Sequence, residues 1–223
     1  MDLQLSGTGK DKTIYLKEIA LRAILIDPNL YMDQGKTVTT SVQVYNRGQL
    51  AGPDIKVTMA NISIPAIGHT QKTAANGVAH FELTGHIGLV TGYALLPGNN
   101  SQVSVTNFNP QTDTYMYVRV LPADTNIASK DPTWQNVLDY VLGNWQAMAP
   151  CMDNWLDLGN EEQVKAYGPI IKKLTDPTNF ESYRCMPVTR DLPPGQRTLL
   201  YNFLDGASAP PVTEDKNSDG RAP

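Results

Sequence analysis

The sequence predicts a mainly β chain with an α appendage: an antiparallel β-sandwich over residues 13–122 and a small helical region over 131–205. Three observations carry this. From Thr37 to Pro122 apolar residues recur at period two, in short runs punctuated by Gly, Pro and Asn. No helix-period segment interrupts those runs, which argues against a parallel sheet with crossover helices. After Leu121 the apolar spacing changes to that of a helix.

Taken in order, TIYLKEIALRAILI (Thr13 to Ile26) fits two patterns. Ile14, Leu16, Leu21, Ala23 and Leu25 alternate as in strands, whereas Leu16, Ile19, Ala20 and Ala23 share a helix face. The β-branched content and the Asp27-Pro28-Asn29 turn favour one or two strands, joining the sandwich as a first or edge strand. TVTTSVQVYN then places Val38, Ser41 or Val42, and Val44 in alternation, and RGQLAGPD turns the chain. IKVTMANISI alternates Ile55, Val57 and Met59, and SIPAIGHTQ reads as a loop. ANGVAHFELTG opens on the turn dipeptide Asn76-Gly77 and sets Ala79, Phe81 and Leu83 against Val78, His80 and Glu82. IGLVTGYALLPGNN, SQVSVTNFNP and TYMYVRVLP complete six or seven strands at the spacing of about 8 to 12 residues expected of a sandwich.

In the helical region Asp131-Pro132 reads as a start, the aspartate capping free amides and the proline presetting φ. Trp134, Val137, Leu138, Val141, Trp145 and Met148 follow on one face, and Pro150 ends the pattern. Asn160-Glu161-Glu162-Gln163 is a capping box leading through Val164, Tyr167, Ile171 and Leu174, with Pro169 inside it expected to kink or shorten that helix. Asp176-Pro177 begins a short turn. Pro193-Pro194 begins a last helix with Leu199, Leu200, Phe203 and Leu204 inward and Gly206 as terminator. Residues 207–223, rich in Pro, Asp and Ser, read as a disordered tail.

Charged residues make up 18 % of the 223, below the roughly 25 % of ordinary globular chains. The surface is therefore expected to be neutral and polar. A net charge of −4, a pI near 5.3 and scattered Lys and Arg give no footprint for nucleic acid. No apolar run approaches the roughly 20 residues that span a bilayer, and no secretory signal is evident at the start. The expected location is cytoplasmic by default, or secreted where a leader has been removed. The two cysteines, Cys151 and Cys185, either pair or remain as free buried thiols. The sequons at Asn61 and Asn99 matter only in a eukaryotic secretory setting.

The stretch VYNRGQLAGPDIKVTMAN, followed by KTAANGVAHFELTG, resembles bacterial Ig-like domains of the invasin and intimin type. Gly48, Leu50, Gly52, Val57, Asn76, Gly77, Ala79, Phe81 and Leu83 fall on the matching positions. The resemblance covers about residues 37–121. It implies an Ig-like sandwich with a spacer or recognition role, and it brings no catalytic residues. The helical region has no counterpart in those adhesins, and only one copy is present rather than a tandem array.

Phosphate-loop, dinucleotide, nucleophile-elbow, HExxH and CxxC patterns do not occur. The leading expectation is a non-catalytic interaction or accessory module, without cofactor, whose partner is another protein. The alternative is an enzyme, or an enzyme subunit, with a scattered site at the junction of sandwich and helices that uses Cys185, Asp153, Arg190 and Asp191. There Arg184 and Arg190 would favour a thiolate at Cys185. On the structural reading Cys185 and Met186 are core, and Arg190 pairs with Asp191. His69, His80 and His86 are the residues that could hold a metal, against a reading as surface or loop histidines. Tyr93, Tyr115 and Tyr117, with Trp134, Trp145 and Trp155, could form a carbohydrate platform or, as the preferred reading, anchors buried between sheet and helices.

Overall fold

The structure is a computed structural model that describes residues 2–6, 13–17, 20–26, 29–64, 68–98, 108–111, 113–152 and 156–206, with the backbone alone at 2–6, 13–17 and 151–152. The chain is mainly β and antiparallel, with short helices after the sheets. Of the strand expected at SQVSVTNFNP (101–110), residues 101–107 lie outside the described residues, as does the tail at 207–223, and 108–110 are not strand.

Eleven strands are described: β1 (Asp2–Ser6), β2 (Thr13–Lys17), β3 (Leu21–Leu25), β4 (Asn29–Asp33), β5 (Thr37–Asn46), β6 (Gln49–Leu50), β7 (Lys56–Asn61), β8 (Gly68–Lys72), β9 (Val78–Thr84), β10 (Val90–Pro97) and β11 (Tyr115–Leu121). The ambiguous segment thus supplies two strands, β2 and β3. β1 and β2 form a hairpin, and a five-stranded sheet runs β4-β11-β10-β7-β8. A second sheet is organised around β5, which pairs with β3 through its C-terminal half and with β9 through its N-terminal half, β6 pairing beside β9.

Two compact units divide the chain. The first comprises Met1–Leu30, Thr37–Thr84 and Val90–Arg119. Its core follows the period-two pattern: Ala23 and Leu25, Val42 and Val44, Ala79, Phe81 and Leu83 are buried, while Arg22, His80 and Glu82 point outward. Val57 and Met59 of β7, Leu95 of β10, and Met116 and Val118 of β11 are buried as well. Each such side chain contributes about 1.5–3 kcal/mol when fully buried. β7 lies between β10 and β8, and Thr58 and Ala60 on its second face are buried as well as Val57 and Met59. The Asn76-Gly77 turn needs its glycine twice over. Gly77 has φ +73, and a Cβ there would lie 2.6 Å from the Ala51 carbonyl oxygen.

The second unit comprises Tyr31–Lys36, Gly85–Leu89 and Val120–Pro223. Its helices are α1 (Thr125–Ala128), α2 (Trp134–Val137), α3 (Gly143–Met148), α4 (Glu161–Ala166), α5 (Gly168–Leu174) and α6 (Pro194–Leu204). Thr133, rather than Asp131, caps α2: its hydroxyl accepts from the Asn136 amide, while the Asp131 carbonyl takes the Asn136 side chain. A π segment, Leu138–Leu142, links α2 to α3. Its extra residue per turn changes the inward face downstream, so that Ala149 is buried and Met148 is exposed. Asn160 caps α4 as its sequence requires, and the helix breaks at Tyr167, with Pro169 in the first turn of α5. The core gathers Val137, Val141, Leu142, Val164, Ile171, Leu199, Leu200 and Phe203. Among the described residues no helix is long and apolar enough to cross a membrane.

Candidate functional site

The segment from Phe180 to Leu192 is a chain of turns held from inside by one side chain. Arg190 lies in the left-handed region at φ 53, its amide donating to the Pro187 carbonyl at 2.8 Å. Its guanidinium donates to the carbonyls of Phe180, Val188 (2.8 Å) and Ser182 (3.1 Å), and sits 5.4 Å from the centre of the Tyr31 ring. The expected Arg190–Asp191 pair does not form. Arg190 turns inward to carbonyls that would otherwise go unpaired, while the Asp191 carboxylate accepts the Thr189 hydroxyl.

Cys185 is a free thiol, 2 % exposed, packed with Leu121, Phe180 and Tyr31. Burial pushes its pKa up, and the opposing charges of Arg190 and Arg197 are smaller effects. The thiol form is therefore favoured. Asp153 and the side chain of Cys151 lie outside the described residues. Of the scattered candidates, Cys185, Arg190 and Asp191 thus share one loop segment.

The histidines are spread along the chain. His69 sits on β8 opposite Met59, a strand where a loop was expected, and His80 sits on β9 with Nδ1 2.9 Å from the Ser41 hydroxyl. The His86 carbonyl accepts from the Gln34 side chain. Among the described residues no three His, Cys, Asp or Glu side chains gather at a distance suited to one metal ion.

An ion pair that the sequence did not reveal lies in the second unit. Asp33, at the end of β4, accepts through Oδ2 from Nη2 of Arg197 in α6, and both side chains are over nine-tenths buried. Arg197 also donates to the Leu192 carbonyl at 3.2 Å, and Asp33 Oδ1 has no hydrogen-bond partner among the described residues.

The first unit presents a different kind of surface. In the β10–β11 register Val90 faces Arg119, Gly92 faces Tyr117 and Ala94 faces Tyr115, so these six share one face. Met116 and Val118 point the other way, into the core. Tyr117 is 49 % exposed and Val90 59 %. A side chain at Gly92 would touch Ile62 at 3.0 Å and Tyr117 at 3.4 Å, so the glycine lets the two close over the strand. Phe108, Tyr115 and Tyr117 form a row, with centroid separations of 5.8 and 5.6 Å and interplanar angles of 88° and 80°. Tyr93 lies on the opposite face, where burial raises its pKa. Trp134 stacks at a tilt on Phe203, 5.8 Å away, within the helical core. The described members of the expected aromatic set are therefore divided among three places, and Trp155 lies outside the described residues.

No family model matches the chain, and no curated protein matches it. Among solved structures it is similar to domains 4 and 5 of the S-layer protein SbsC, with 11 % identity and a TM-score of 0.29, over 54 % of this chain and 65 % of that one. It is also similar to a CARDB domain from Pyrococcus furiosus solved with two metal ions, with 16 % identity and a TM-score of 0.30, over 46 % of this chain and 86 % of that one. A third is the bacterial superantigen toxic shock syndrome toxin-1, with 10 % identity and a TM-score of 0.25, over 45 % of this chain and 99 % of that one. Scores this low have no bearing on what the chain does.

Proposed function

We propose that the chain is a non-catalytic recognition module that binds another protein through the outer face of β10 and β11, on an Ig-like sandwich spanning residues 13–122, with a helical region over 131–205. The observation that carries this is the half-exposed row of Tyr115 and Tyr117 flanked by Ile62 and Val90. Tyrosine gives large, rigid contact area with a polar tip, and such residues dominate the energetics of protein interfaces. A carbohydrate platform fits less well. Sugar stacking needs rings presented flat, and the 80° angle between Tyr115 and Tyr117 turns one edge-on when the other is flat.

An enzymatic use of Cys185 with Asp153, Arg190 and Asp191 fits less well too, because burial favours the thiol and Arg190 is committed to backbone carbonyls. The test is site-specific photo-crosslinking from position 117 in native cells, followed by purification of the captured protein and titration against variants. Tyr117→Ala with Val90→Ser should weaken binding by about tenfold or more, the size of a small interface hot spot, and Thr39→Ala on β5 should not. Unchanged binding by the double variant would refute the face. Glycan binding lost in Tyr117→Ala would replace the protein partner by a sugar.

A further inference from the structure

The π segment and α3 do not close completely against α5 and α6. Between them lies an apolar cavity of about 100 Å3, walled by Val141, Trp145, Leu156, Ile171, Leu174 and Leu200 among others. Protein interiors pack as densely as organic crystals and leave few voids larger than a water. Besides the indole of Trp145, the one polar side chain on the wall is Thr175, and its hydroxyl is already engaged. Thr175 Oγ1 donates to the Ile171 carbonyl at 2.8 Å and lies 2.9 Å from the Tyr201 hydroxyl, which itself reaches the Lys172 carbonyl.

The wall also contains the least regular part of the helical unit. In the π segment the Gly143 amide bonds to the Leu138 carbonyl five residues back. Such turns are uncommon in helices and concentrate at functional sites. Here consecutive residues Val141 and Leu142 both line the cavity, and Ala149, turned inward by the same irregularity, joins them.

We propose that this cavity is a binding site for a small hydrocarbon group, a single aromatic ring or a branched alkyl chain of about six heavy atoms. A dry apolar cavity of roughly 150 Å3 accepts benzene, which sets the scale. The buried part of the ligand carries no donor or acceptor, because a hydroxyl there would lose its water and find no partner. The site is independent of the sheet face proposed above.

The test is a titration of the full chain, methyl-labelled, with benzene and separately with phenol. Benzene should give saturable shifts at the methyls of Val141, Ile171 and Leu200 while those of Val42 and Val44 in the first unit stay fixed. Phenol should bind at least roughly tenfold more weakly. Ala149→Leu, which fills the cavity, should abolish saturation. Should that variant not fold, Leu174→Ala enlarges the cavity and should shift preference several-fold towards naphthalene. Absence of a saturable shift up to the solubility of benzene would overturn the proposal. So would equal binding of benzene and phenol, unaltered binding by a folded Ala149→Leu chain, or an unchanged preference in Leu174→Ala.

Discussion

Asp33 and Arg197, 164 positions apart, meet as an ion pair buried within the second unit. Removing one partner should cost far more than removing both. Arg197→Met leaves a carboxylate in a water-poor site and should destabilise by about 3–5 kcal/mol. Combining it with Asp33→Leu replaces the pair with apolar volume, and should restore much of that loss. Urea titrations of the two variants check this, and a double variant no more stable than Arg197→Met would contradict it.

Gly195 at the start of α6 has no room for a side chain. A Cβ there would lie 2.0 Å from the Asp124 carbonyl oxygen and 2.7 Å from its carbon, both backbone atoms. Gly195→Ala should therefore push α6 away from the 123–124 segment, at a cost of about 2 kcal/mol or more. Gly52, with open space around it and a negative φ, is the control: Gly52→Ala should be neutral or stabilising by up to about 1 kcal/mol. Thermal unfolding distinguishes the two.

Replacement of Arg190 tests its part as an internal clamp. Arg190→Ala leaves the carbonyls of Phe180, Val188 and Ser182 without their donor, and should cost about 1–3 kcal/mol. Arg190→Lys should recover only part of this, because an ammonium cannot reproduce the planar fork. A thiol reagent should reach Cys185 faster in both variants, since the clamped turns cover it. An unchanged labelling rate would show that Arg190 does not hold the segment closed.

The buried thiol also gives a pH signature. Because its pKa is raised in the fold, the native state keeps a proton that the unfolded chain loses above about pH 8.5. The stability it contributes is complete below that pH and is lost as pH rises towards the folded value. Tyr93 and Tyr201 are raised by burial in the same direction, so the cysteine must be isolated by difference. The gap in stability between the parent and Cys185→Ala should shrink on going from pH 8 to the highest pH at which both remain folded. A constant gap would contradict the assignment.

Period-two spacing made β5, β7, β9, β10 and β11 legible, because their large apolar side chains alternate towards the core, even in β7, where the second face is buried too. β8 escaped because GHTQK is exposed at every position, leaving no alternation to read. β4 escaped because NLYMD is short and its first residue, Asn29, belongs to the Asp27-Pro28-Asn29 turn signal. The interruption of the helix near Pro169 and the helix start at Pro193-Pro194 were readable from local chemistry. The π segment was not, since a single added residue leaves the apolar spacing almost intact while changing which residue faces inward. Arg190 and Asp191 look like a pair in sequence, yet neighbouring residues in a turn need not face each other. Asp33 and Arg197 carry no local signal at all, because their relation exists only after distant segments come together.

That last relation orders events in time as well as in space. At synthesis rates of about 5–20 residues per second, Asp33 is made roughly 8 to 33 s before Arg197. Throughout that interval the carboxylate can only be hydrated, since the guanidinium that shields it does not yet exist. The Tyr31–Lys36 segment must therefore wait, hydrated, while β5 to β11 and α1 to α5 are synthesised. The ion pair of the second unit can close only when α6 leaves the ribosome.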